Sequence, residues 1–538
     1  MKTNTFTLLL LALCCAAGAA QARDIYVAPT GNDASGAGTL ASPYATVQRA
    51  INASAAGDVI FLRGGTYAGN VTVNKPNLTL RSYAGERALI SSPTANSAVA
   101  QTVWFTASGG RVLDLDLVGG YFYALKFETG NAVVRGCKIS GSGRDCVKIV
   151  PGADDITIQQ CEIYNSGQRD PSNAEGIDNV NGDRMRVQDC YIHDIATYGL
   201  YPKGGAIGCV IERCLVTNCG AGGIMLGGYT DDEFFDPVQN PGWYENIDGT
   251  VRNCIVVNTQ GGGVSLYAAL RPQVYNNTLV NVAAATHAGI VSDLVPHAGA
   301  NRFTTSPTLI NNIVTLAASS SRQVVDFRNG VLGTATLSNN RYHDAGGAGV
   351  FRNNGVNYTL AAWKTQLGTD ANSTEGNPGL AANQHLAAGS ACINAGATLA
   401  TVRDDYDGAA RTGAYDIGAD ESGACAPLAV PPPAGTIGTG VSCSAVLAVA
   451  AGAPVSEAEA ISVYPNPVSG VCRVQFLRPF SRPAVRLTDL QGRQVSVRYE
   501  QDAAGITVHT DHLASGVYCL HVQAENGAPV QQKIAVAK

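Results

Sequence analysis

The sequence predicts an all-β fold: a parallel β-helix with an N-terminal helical cap, followed by a small C-terminal β-sandwich. The main observation is a short strand pattern that recurs with one cysteine position and then with asparagine in that position. The aligned residues are Cys137, Cys161, Cys190, Cys214, Cys254, Asn277, Asn312 and Asn340. Coils of roughly 22–30 residues that repeat one strand pattern are typical of a parallel β-helix, in which each coil stacks on the previous one.

The composition agrees with this fold class, and the net charge bears on which partners the protein can bind. The chain has 538 residues, of which 45% are hydrophobic, only 14% are charged and 61 are glycine. Such a composition suits a β-rich secreted protein with many tight turns. The net charge of −6 gives no basis for a nucleic-acid partner.

Residues 1–22 are predicted to form a cleaved secretion signal. Lys2 supplies the positive charge, residues 6–17 form a short apolar core, and Ala20-Gln21-Ala22 fits a cleavage site. That core is too short to span a membrane comfortably. We expect a mature protein that begins near Arg23 and is secreted or lies on the outer cell surface.

The segment after the signal predicts the cap and the first coil. An amphipathic helix is expected over about residues 46–53, followed by a strand over residues 58–62. A helix that covers the end coil of a β-helix prevents association through that exposed edge.

The strand that follows each turn predicts which side chains face inward. Its second position is always apolar, at Leu125, Val147, Ile177, Leu200, Ile224, Val264 and Ile290. Strand alternation then places the third and fifth positions outside. The third positions are Lys126, Lys148, Asp178, Tyr201, Met225 and Ser265, and the fifth positions are Glu128, Val150, Val180, Lys203, Gly227 and Tyr267. Charge is therefore concentrated on the outer face of neighbouring coils. Two insertions, residues 166–174 and 229–246, flank these positions and are predicted to wall a groove.

The 15 cysteines allow several interpretations. We interpret the five aligned cysteines as small buried hydrophobic residues, with disulfides or a metal site as alternatives. Cys425 and Cys443 flank a proline-rich stretch and are better candidates for a disulfide.

Three further segments are predicted after the coils. Residues 388–421 are expected to close the stack, which ends a β-helix domain spanning residues 23–421. Residues 422–460 are rich in Ala, Pro and Gly and are predicted to be a linker. Alternating strands return over residues 461–538, which predicts a small β-sandwich.

Motifs in the last segment resemble a known secretion domain. ISVYPNPVSG, LTDLQGRQV, HLASGVYCLHV and the basic end KIAVAK are similar to the C-terminal sorting domain of the type IX secretion system of Bacteroidetes. The resemblance implies that residues 461–538 interact with the type IX secretion machinery. An ordinary adhesive β-sandwich is the alternative.

The opening segment of the solenoid resembles a family of polysaccharide-cleaving proteins. YVAPTGND, SPYATVQRAI and GDVIFLRGGTY are similar to the N-terminus of right-handed parallel β-helix proteins of the pectate lyase-like class, polysaccharide lyase family 9 and chondroitinase B-like enzymes. The resemblance implies a right-handed solenoid that acts on an acidic polysaccharide. We expect a monomer.

The outward charged residues predict a site for this chemistry. A lyase removes the proton α to a uronate carboxylate, which requires a base and a cation that neutralises the carboxylate. We predict that Asp145, Glu175 and Asp178 bind Ca²⁺, whose ligands are oxygen atoms. Lys203 is the preferred base, and Lys148 binds the substrate carboxylate or is the alternative base.

Other residues complete the predicted groove. Arg169, Tyr201 and Tyr267 are predicted to bind substrate, whereas Asn181 and Asp183 are weaker candidates as calcium ligands. Three alternatives stay open: a glycoside hydrolase that uses paired carboxylates, a non-catalytic glycan-binding or adhesive surface protein, and a charge-paired solvated face without function.

Overall fold

A computed structural model describes the solenoid over residues 22–318, 320–423 and 426–440, and the C-terminal unit over residues 461–464, 470–476, 484–489, 494–502, 505–523 and 530–536. Residues 1–21 of the predicted signal and residues 441–460 of the predicted linker lie outside the described residues. Cys425 and Cys443 lie outside them as well, so the predicted disulfide stays a prediction. Within the described residues, no helix has the length and apolarity needed to cross a membrane.

The solenoid is the predicted parallel β-helix, and each coil passes through three long sheets in turn. Sheet 1 contains Asp24–Val27, Val59–Leu62, Thr79–Ser82, Arg111–Leu113, Val133–Arg135, Thr157–Gln159, Arg186–Gln188, Val210–Glu212, Thr250–Arg252, Gln273–Tyr275, Thr308–Ile310 and Thr336–Ser338. Sheet 2 contains Gly65–Ala68, Ala88–Ser92, Leu115–Gly119, Lys138–Ser140, Glu162–Tyr164, Tyr191–Ile195, Leu215–Cys219, Ile255–Thr259, Thr278–Val282, Ile313–Leu316, Arg341–His343 and Thr374–Glu375. Sheet 3 contains Val71–Val73, Gln101–Phe105, Tyr123–Phe127, Val147–Ile149, Ile177–Val180, Tyr198–Lys203, Gly222–Gly227, Val264–Tyr267, Ala288–Asp293, Gln323–Phe327, Phe351–Asn353 and Val356–Tyr358.

Short strands lie in four of the turns that follow strands of sheet 3. A three-stranded sheet joins Ala206–Ile207, Asn246–Ile247 and Ala269–Leu270. An antiparallel hairpin pairs Val295–His297 with Ala300–Arg302. Each of these short strands lies between a strand of sheet 3 and the next strand of sheet 1 along the chain.

The predicted inward register is confirmed in sheet 3. Leu125 pairs with Val147, Val147 with Ile177, and Ile177 with Leu200. The series continues through Leu200–Ile224, Ile224–Val264 and Val264–Ile290 pairs. All seven side chains are buried in one continuous core.

The cysteine and asparagine positions form a ladder at the corner between sheets 1 and 2. The five cysteines are buried and, among the described residues, are free thiols, which agrees with their interpretation as small hydrophobic residues. The buried asparagines instead bond to one another: Asn277 Nδ2 donates to Asn312 Oδ1 at 3.0 Å, and Asn312 Nδ2 donates to Asn340 Oδ1 at 3.0 Å. One ladder position thus changes from buried thiols, with long S–H···O contacts such as Cys137 Sγ to Val112 O at 3.4 Å, to a row of side-chain amide bonds along the stack.

The N-terminal cap is confirmed close to its predicted bounds. The helix spans Val47–Ala53, and the Thr46 side chain caps it by accepting a hydrogen bond from the Arg49 backbone N–H. Val47, Ala50 and Ile51 are buried, so the helix covers the first coil with its apolar face.

The prediction that residues 388–421 close the stack is wrong. The last coils are covered by the helix Leu360–Leu367, whose Trp363 ring lies 5.2 Å from Phe327 and 5.4 Å from Phe351. Residues 388–421 run along the corner ladder instead. They are held there by turn asparagines of successive coils, as in the bonds from Asn276 Nδ2 to Asp416 O and from Asn311 Nδ2 to Ala397 O.

The predicted linker begins with a segment that contacts the solenoid. Leu428 N donates to Asp407 Oδ1 at 2.9 Å, and Thr439 N donates to Asp189 O at 3.0 Å. Residues 426–440 therefore have fixed partners on the stack, although their composition predicts a spacer.

The C-terminal unit is the predicted β-sandwich. One antiparallel sheet contains Ile461–Tyr464, Val471–Phe476, Gly505–His509 and Arg498–Asp502. The other contains Gln494–Val495, Ala484–Asp489, Gly516–Gln523 and Val530–Val536. Side chains from both sheets, including Val474, Ile506, Leu487 and Leu520, share one buried cluster.

Candidate functional site

The outer face of sheet 3 aligns charged residues from neighbouring coils. Lys126 pairs with Lys148, Lys148 with Asp178, and Asp178 with Tyr201, so these four residues form one column across the strands. Lys203 pairs with Val180 and lies two positions further along its strand than Tyr201. The predicted third column is therefore present over these coils. In the predicted fifth column Val180 pairs with Lys203 and Gly227 with Tyr267, whereas Glu128 and Val150 lie just beyond the ends of their strands.

Three carboxylates from two adjacent coils converge beside this column. Asp145, Glu175 and Asp178 each present an oxygen, and these oxygens all lie within 4.8 Å of one another. The turn geometry fixes them: Asp145 Oδ1 accepts a hydrogen bond from Glu175 N at 3.0 Å, and Glu175 Oε1 accepts one from Thr197 Oγ1 at 2.7 Å. All three acids are buried, with exposed fractions of 2–5%.

The cluster carries more negative charge than its hydrogen bonds satisfy. Among the described residues, Glu175 Oε2 and Asp178 Oδ1 are buried without a hydrogen-bond partner. Burial and the neighbouring Asp178 and Glu175 carboxylates raise the pKa of Asp145 well above its usual range. Buried oxygens without a donor are costly, and a cation would satisfy them.

Two lysines approach the same carboxylate from either side. Lys148 forms a short ion pair with Asp178 Oδ2, and Lys203 Nζ lies 3.8 Å from Asp178 Oδ1. Burial alone would lower the pKa of Lys148, but the Asp178 and Asp145 carboxylates outweigh it and raise that pKa above its usual value. Lys148 is therefore held as an ammonium ion.

Lys203 has different surroundings. Its Nζ donates to the Tyr201 hydroxyl at 3.0 Å and lies 4.4 Å from the centre of the Tyr201 ring. Gly228 packs against the aliphatic chain, because a Cβ at that position would lie 3.0 Å from Lys203 Cδ. The Lys203 side chain is 15% exposed.

Aromatic residues continue the face beyond the charged cluster. Tyr201 and Tyr267 belong to an outward apolar patch with Met225 and Val291, and Tyr198 packs against it. Tyr229 lies edge-on to Tyr267 at 5.6 Å and is 62% exposed. Tyr201 and Tyr267 are themselves only 5% and 2% exposed, so Tyr229 presents the accessible aromatic ring here. Binding of substrate by Tyr201 and Tyr267 stays a prediction.

Arg169 occupies the predicted insertion but has its own partners. Its Nε donates to Tyr121 O at 3.0 Å, and its guanidinium stacks 4.0 Å from the Tyr121 ring centre and 5.2 Å from that of Phe122. The neighbouring Asp170 pairs with Arg144 at 2.9 Å. These contacts attach the insertion to the preceding coils.

The two weaker metal candidates have structural roles. Asn181 Nδ2 donates to Phe234 O at 2.8 Å, which ties its turn to the insertion 229–246. Asp183 Oδ1 accepts a hydrogen bond from Ile207 N at 2.9 Å. Both side chains serve turns next to the cluster.

Sequence reasoning missed Thr197, Tyr123 and Glu245. Thr197 orients Glu175, Tyr123 has its ring 6.0 Å from the Lys148 ammonium, and Glu245 accepts a hydrogen bond from Gly204 N directly after Lys203. Tyr123 lies two residues before Leu125 in its strand, so extending the aligned strand upstream could have identified it. Thr197 and Glu245 lie outside the aligned strand positions, and only the folding of the turns brings them to the site. The repeat pattern therefore could not identify them.

The arrangement can neutralise an anionic ligand and move a proton. A cradle of three carboxylates suits a divalent cation, while an ammonium ion and a second lysine lie on the same open face. The carboxylates and the two lysines lie on or directly before neighbouring strands of sheet 3.

Two family models match separate parts of the chain. Residues 125–293 match the right handed beta helix region, which contains every predicted site residue. Residues 462–537 match the secretion system C-terminal sorting domain. These matches confirm the predicted right-handed β-helix and the resemblance to the sorting domain, which indicates a secreted or cell-surface protein.

Individual relatives add local similarity. Over 76 residues the chain is 41% identical to pectate lyase PEL9 of Emericella nidulans, a match that covers 13% of this chain and 18% of that enzyme. The chain thus spans about a fifth of the length of this curated relative.

Solved structures with similar coordinates include two lyases. Pectate lyase Pel9A is 17% identical, with a TM-score of 0.48, over 74% of this chain and 96% of that one. An alginate lyase from Paenibacillus sp. is 19% identical, with a TM-score of 0.38, over 62% of this chain and 99% of that one.

Proposed function

We propose that the protein is a secreted polysaccharide lyase that cleaves a uronate-containing, pectate-like glycan by calcium-assisted β-elimination. The observation that carries the proposal is the convergence of Asp145, Glu175 and Asp178 beside Lys148 and Lys203. The local similarity to pectate lyase PEL9 supports the same substrate class.

The carboxylate cluster fits a calcium ion. Calcium binds oxygens at 2.3–2.6 Å, so two ligands of one ion lie at most about 5 Å apart. The oxygens of Asp145, Glu175 and Asp178 satisfy this limit, and two buried oxygens lack a donor among the described residues. When bound, Ca²⁺ would neutralise the uronate carboxylate and stabilise the enediolate that forms from it.

The two lysines have separate roles in this reaction. Lys148, held as an ammonium ion, pairs with the substrate carboxylate. Lys203, as the free amine, takes the proton from the carbon α to that carboxylate. The electron pair forms a double bond to the neighbouring carbon as the bond to the 4-linked oxygen breaks, and this oxygen takes up a proton. Tyr201, which hydrogen-bonds to Lys203, orients the amine.

Glycoside hydrolysis has less support from this geometry. Paired catalytic carboxyl groups lie about 5–5.5 Å apart in retaining enzymes and 6.5–9.5 Å apart in inverting ones. The three acids here are packed against one another and against the Lys148 and Lys203 side chains. A compact anionic cradle favours a cation over a pair of acids on either side of a bond.

A substrate panel tests the proposal. The full chain is incubated with pectate, alginate and chondroitin, and the ultraviolet absorbance of the unsaturated product is followed with calcium and with a chelator. We expect absorbance to rise on at least one uronate glycan and to stop when calcium is removed. Reducing ends that form without this absorbance would identify a hydrolase, and no cleavage of any of the three would refute the proposal.

An acidic variant tests the calcium site. Asp178→Asn removes a ligand charge and is expected to weaken calcium binding by about 100-fold or more in titration calorimetry. Asp116→Asn is the matched control, because Asp116 pairs with Arg87 on sheet 2. Equal calcium affinity in the two variants would locate the ion elsewhere.

A further inference from the structure

The insertion 229–246, which we call the wall loop, lies directly against Lys203. Gly228, the residue before the loop, packs on the Lys203 side chain. Within the loop, Phe234 O accepts a hydrogen bond from Asn181 Nδ2 at 2.8 Å. The position of the wall loop therefore limits where the Lys203 amine can lie.

Glu245 closes the base of this loop. It is fully buried and accepts hydrogen bonds from Thr230 N and Thr230 Oγ1 at 2.8 Å, at the other end of the loop. It also accepts one from Gly204 N at 2.7 Å, the residue after Lys203. One carboxylate thus joins both ends of the wall loop to the backbone that carries Lys203.

His297 joins the first part of the loop, at Asp232, to the same carboxylate. From the hairpin Val295–His297, its Nε2 lies 2.9 Å from Glu245 Oε1 and its Nδ1 lies 2.8 Å from Asp232 Oδ1. Carboxylate oxygens only accept hydrogen bonds, so both ring nitrogens must donate. This geometry requires the imidazolium form, which is 2% exposed.

We infer that Glu245 and protonated His297 are positioning residues that hold the wall loop against Lys203, and that the loop is released when His297 loses its proton. The role assigned to Lys203 rests on the proposed function, whereas the attachment of the loop does not. A neutral imidazole has one N–H and can serve only one of its two carboxylates.

The direction of the pH effect follows from the groups around His297. Burial lowers its pKa, but the hydrogen bonds to Glu245 and Asp232 and their charges outweigh burial and raise it. Arg302, across the hairpin, also acts on Asp232 and lowers the pKa of that carboxyl together with His297. A raised histidine pKa means that the loop is fully held below the ordinary value of about 6.5 and is released as pH rises through the raised value.

Trp243 is a fluorescent probe within the wall loop, and Phe235 connects it to His297. The Phe235 ring lies 4.6 Å from the His297 ring and 5.4 Å from the Trp243 ring. The chain has three tryptophans, and the other two, Trp104 and Trp363, lie outside the wall loop. Release of the loop would change the environment of Trp243 and its fluorescence.

The test follows tryptophan fluorescence of the full chain between pH 5 and 10, a range chosen around the ordinary histidine pKa. We expect one transition above pH 6.5 that disappears in His297→Gln and in Trp243→Phe. His193→Gln is the matched control, because His193 also lies between two carboxylates, Glu162 and Asp194, but on sheet 2. Asp232→Asn, at an exposed carboxylate, is expected to move the midpoint to lower pH without unfolding the chain.

Activity on the cleaved glycan supplies the second readout. His297→Gln is expected to lower kcat/KM by about 10- to 100-fold and to remove the alkaline fall of the wild-type pH profile. A transition that persists in His297→Gln, or an unchanged midpoint in Asp232→Asn, would overturn the inference. If the transition follows His297 but no uronate is cleaved, the proposed function fails and the loop attachment stands.

Discussion

At the scale of single residues, the site gives different surroundings to two lysines that look equivalent in the sequence. Lys148 and Lys203 both lie on the outer face of sheet 3 and both approach Asp178. Lys148 is committed to that carboxylate and keeps its proton, because Asp178 and Asp145 raise its pKa. Lys203 instead donates to a tyrosine hydroxyl. This difference favours Lys203 as the base and Lys148 as the group that binds the substrate carboxylate.

A substitution distinguishes these roles. Lys148→Met is expected to lower kcat/KM by about 100-fold, mainly through KM, while the rising limb of the pH profile stays in place. The reason is that the variant loses charge neutralisation but keeps the base. The measurement is initial-rate kinetics across pH. Lys126→Met is the control, because Lys126 lies in the same column as Lys148 but forms its ion pair with Glu128. Loss of the rising limb in Lys148→Met would make Lys148 the base.

At the scale of elements, the corner ladder changes its chemistry along the stack. The cysteine part consists of buried thiols that make long S–H···O contacts with the previous coil, whereas the asparagine part links coils through side-chain amides. Asn312 Oδ1 also accepts from Asn277 N at 3.2 Å, and Asn312 Nδ2 donates to Val274 O at 2.9 Å. Each amide therefore serves buried groups of both neighbouring coils.

Removing one of these amides should be costly. Asn312→Ala leaves buried donors and acceptors of adjacent coils unsatisfied, at about 1–3 kcal/mol each, so we expect the free energy of unfolding to fall by about 3 kcal/mol. Chemical denaturation of the solenoid checks this. Asn52→Ala, at an exposed position of the cap helix, is the control and should change stability by less than about 0.5 kcal/mol. Equal stability of the two variants would contradict a structural role for the ladder.

At the scale of the whole molecule, the chain combines a solenoid and a sorting domain that each have their own core. The sorting domain matches a family that acts in secretion, and the predicted site lies entirely within the β-helix match. Export and the proposed glycan chemistry should therefore be separable.

Deletion of residues 461–538 tests this separation. We expect the truncated protein to be retained inside the cell envelope of a host with a type IX secretion system, while the full chain reaches the medium or the outer surface. Immunoblots of cell fractions give the answer, and a folded marker protein fused to residues 461–538 is the control. Normal export of the truncated chain would contradict the role of the sorting domain.

Much of this architecture was predictable from periodic features. The register of Leu125 through Ile290 follows from strand alternation, and the same alignment predicts that Asp178 lies beside Lys148 and close to Lys203. Contacts made by irregular segments were not predictable. Trp363 closes the stack from a helix that lacks a repeat, and residues 388–421 lie along the corner because turn asparagines such as Asn311 bind their carbonyls. The Glu245–His297 contact joins two turns with no shared pattern.

The central claim is that Lys203 removes a proton from a uronate bound beside the carboxylate cluster. The most direct measurement is the rate of unsaturated-product formation by Lys203→Ala at saturating calcium and substrate, compared with Lys138→Met, which removes a lysine paired with Glu162 on sheet 2. We predict that Lys203→Ala lowers kcat by about 10²- to 10⁴-fold, the usual contribution of a general base, whereas Lys138→Met keeps the wild-type rate. A Lys203→Ala variant that forms product at the wild-type rate would contradict the claim.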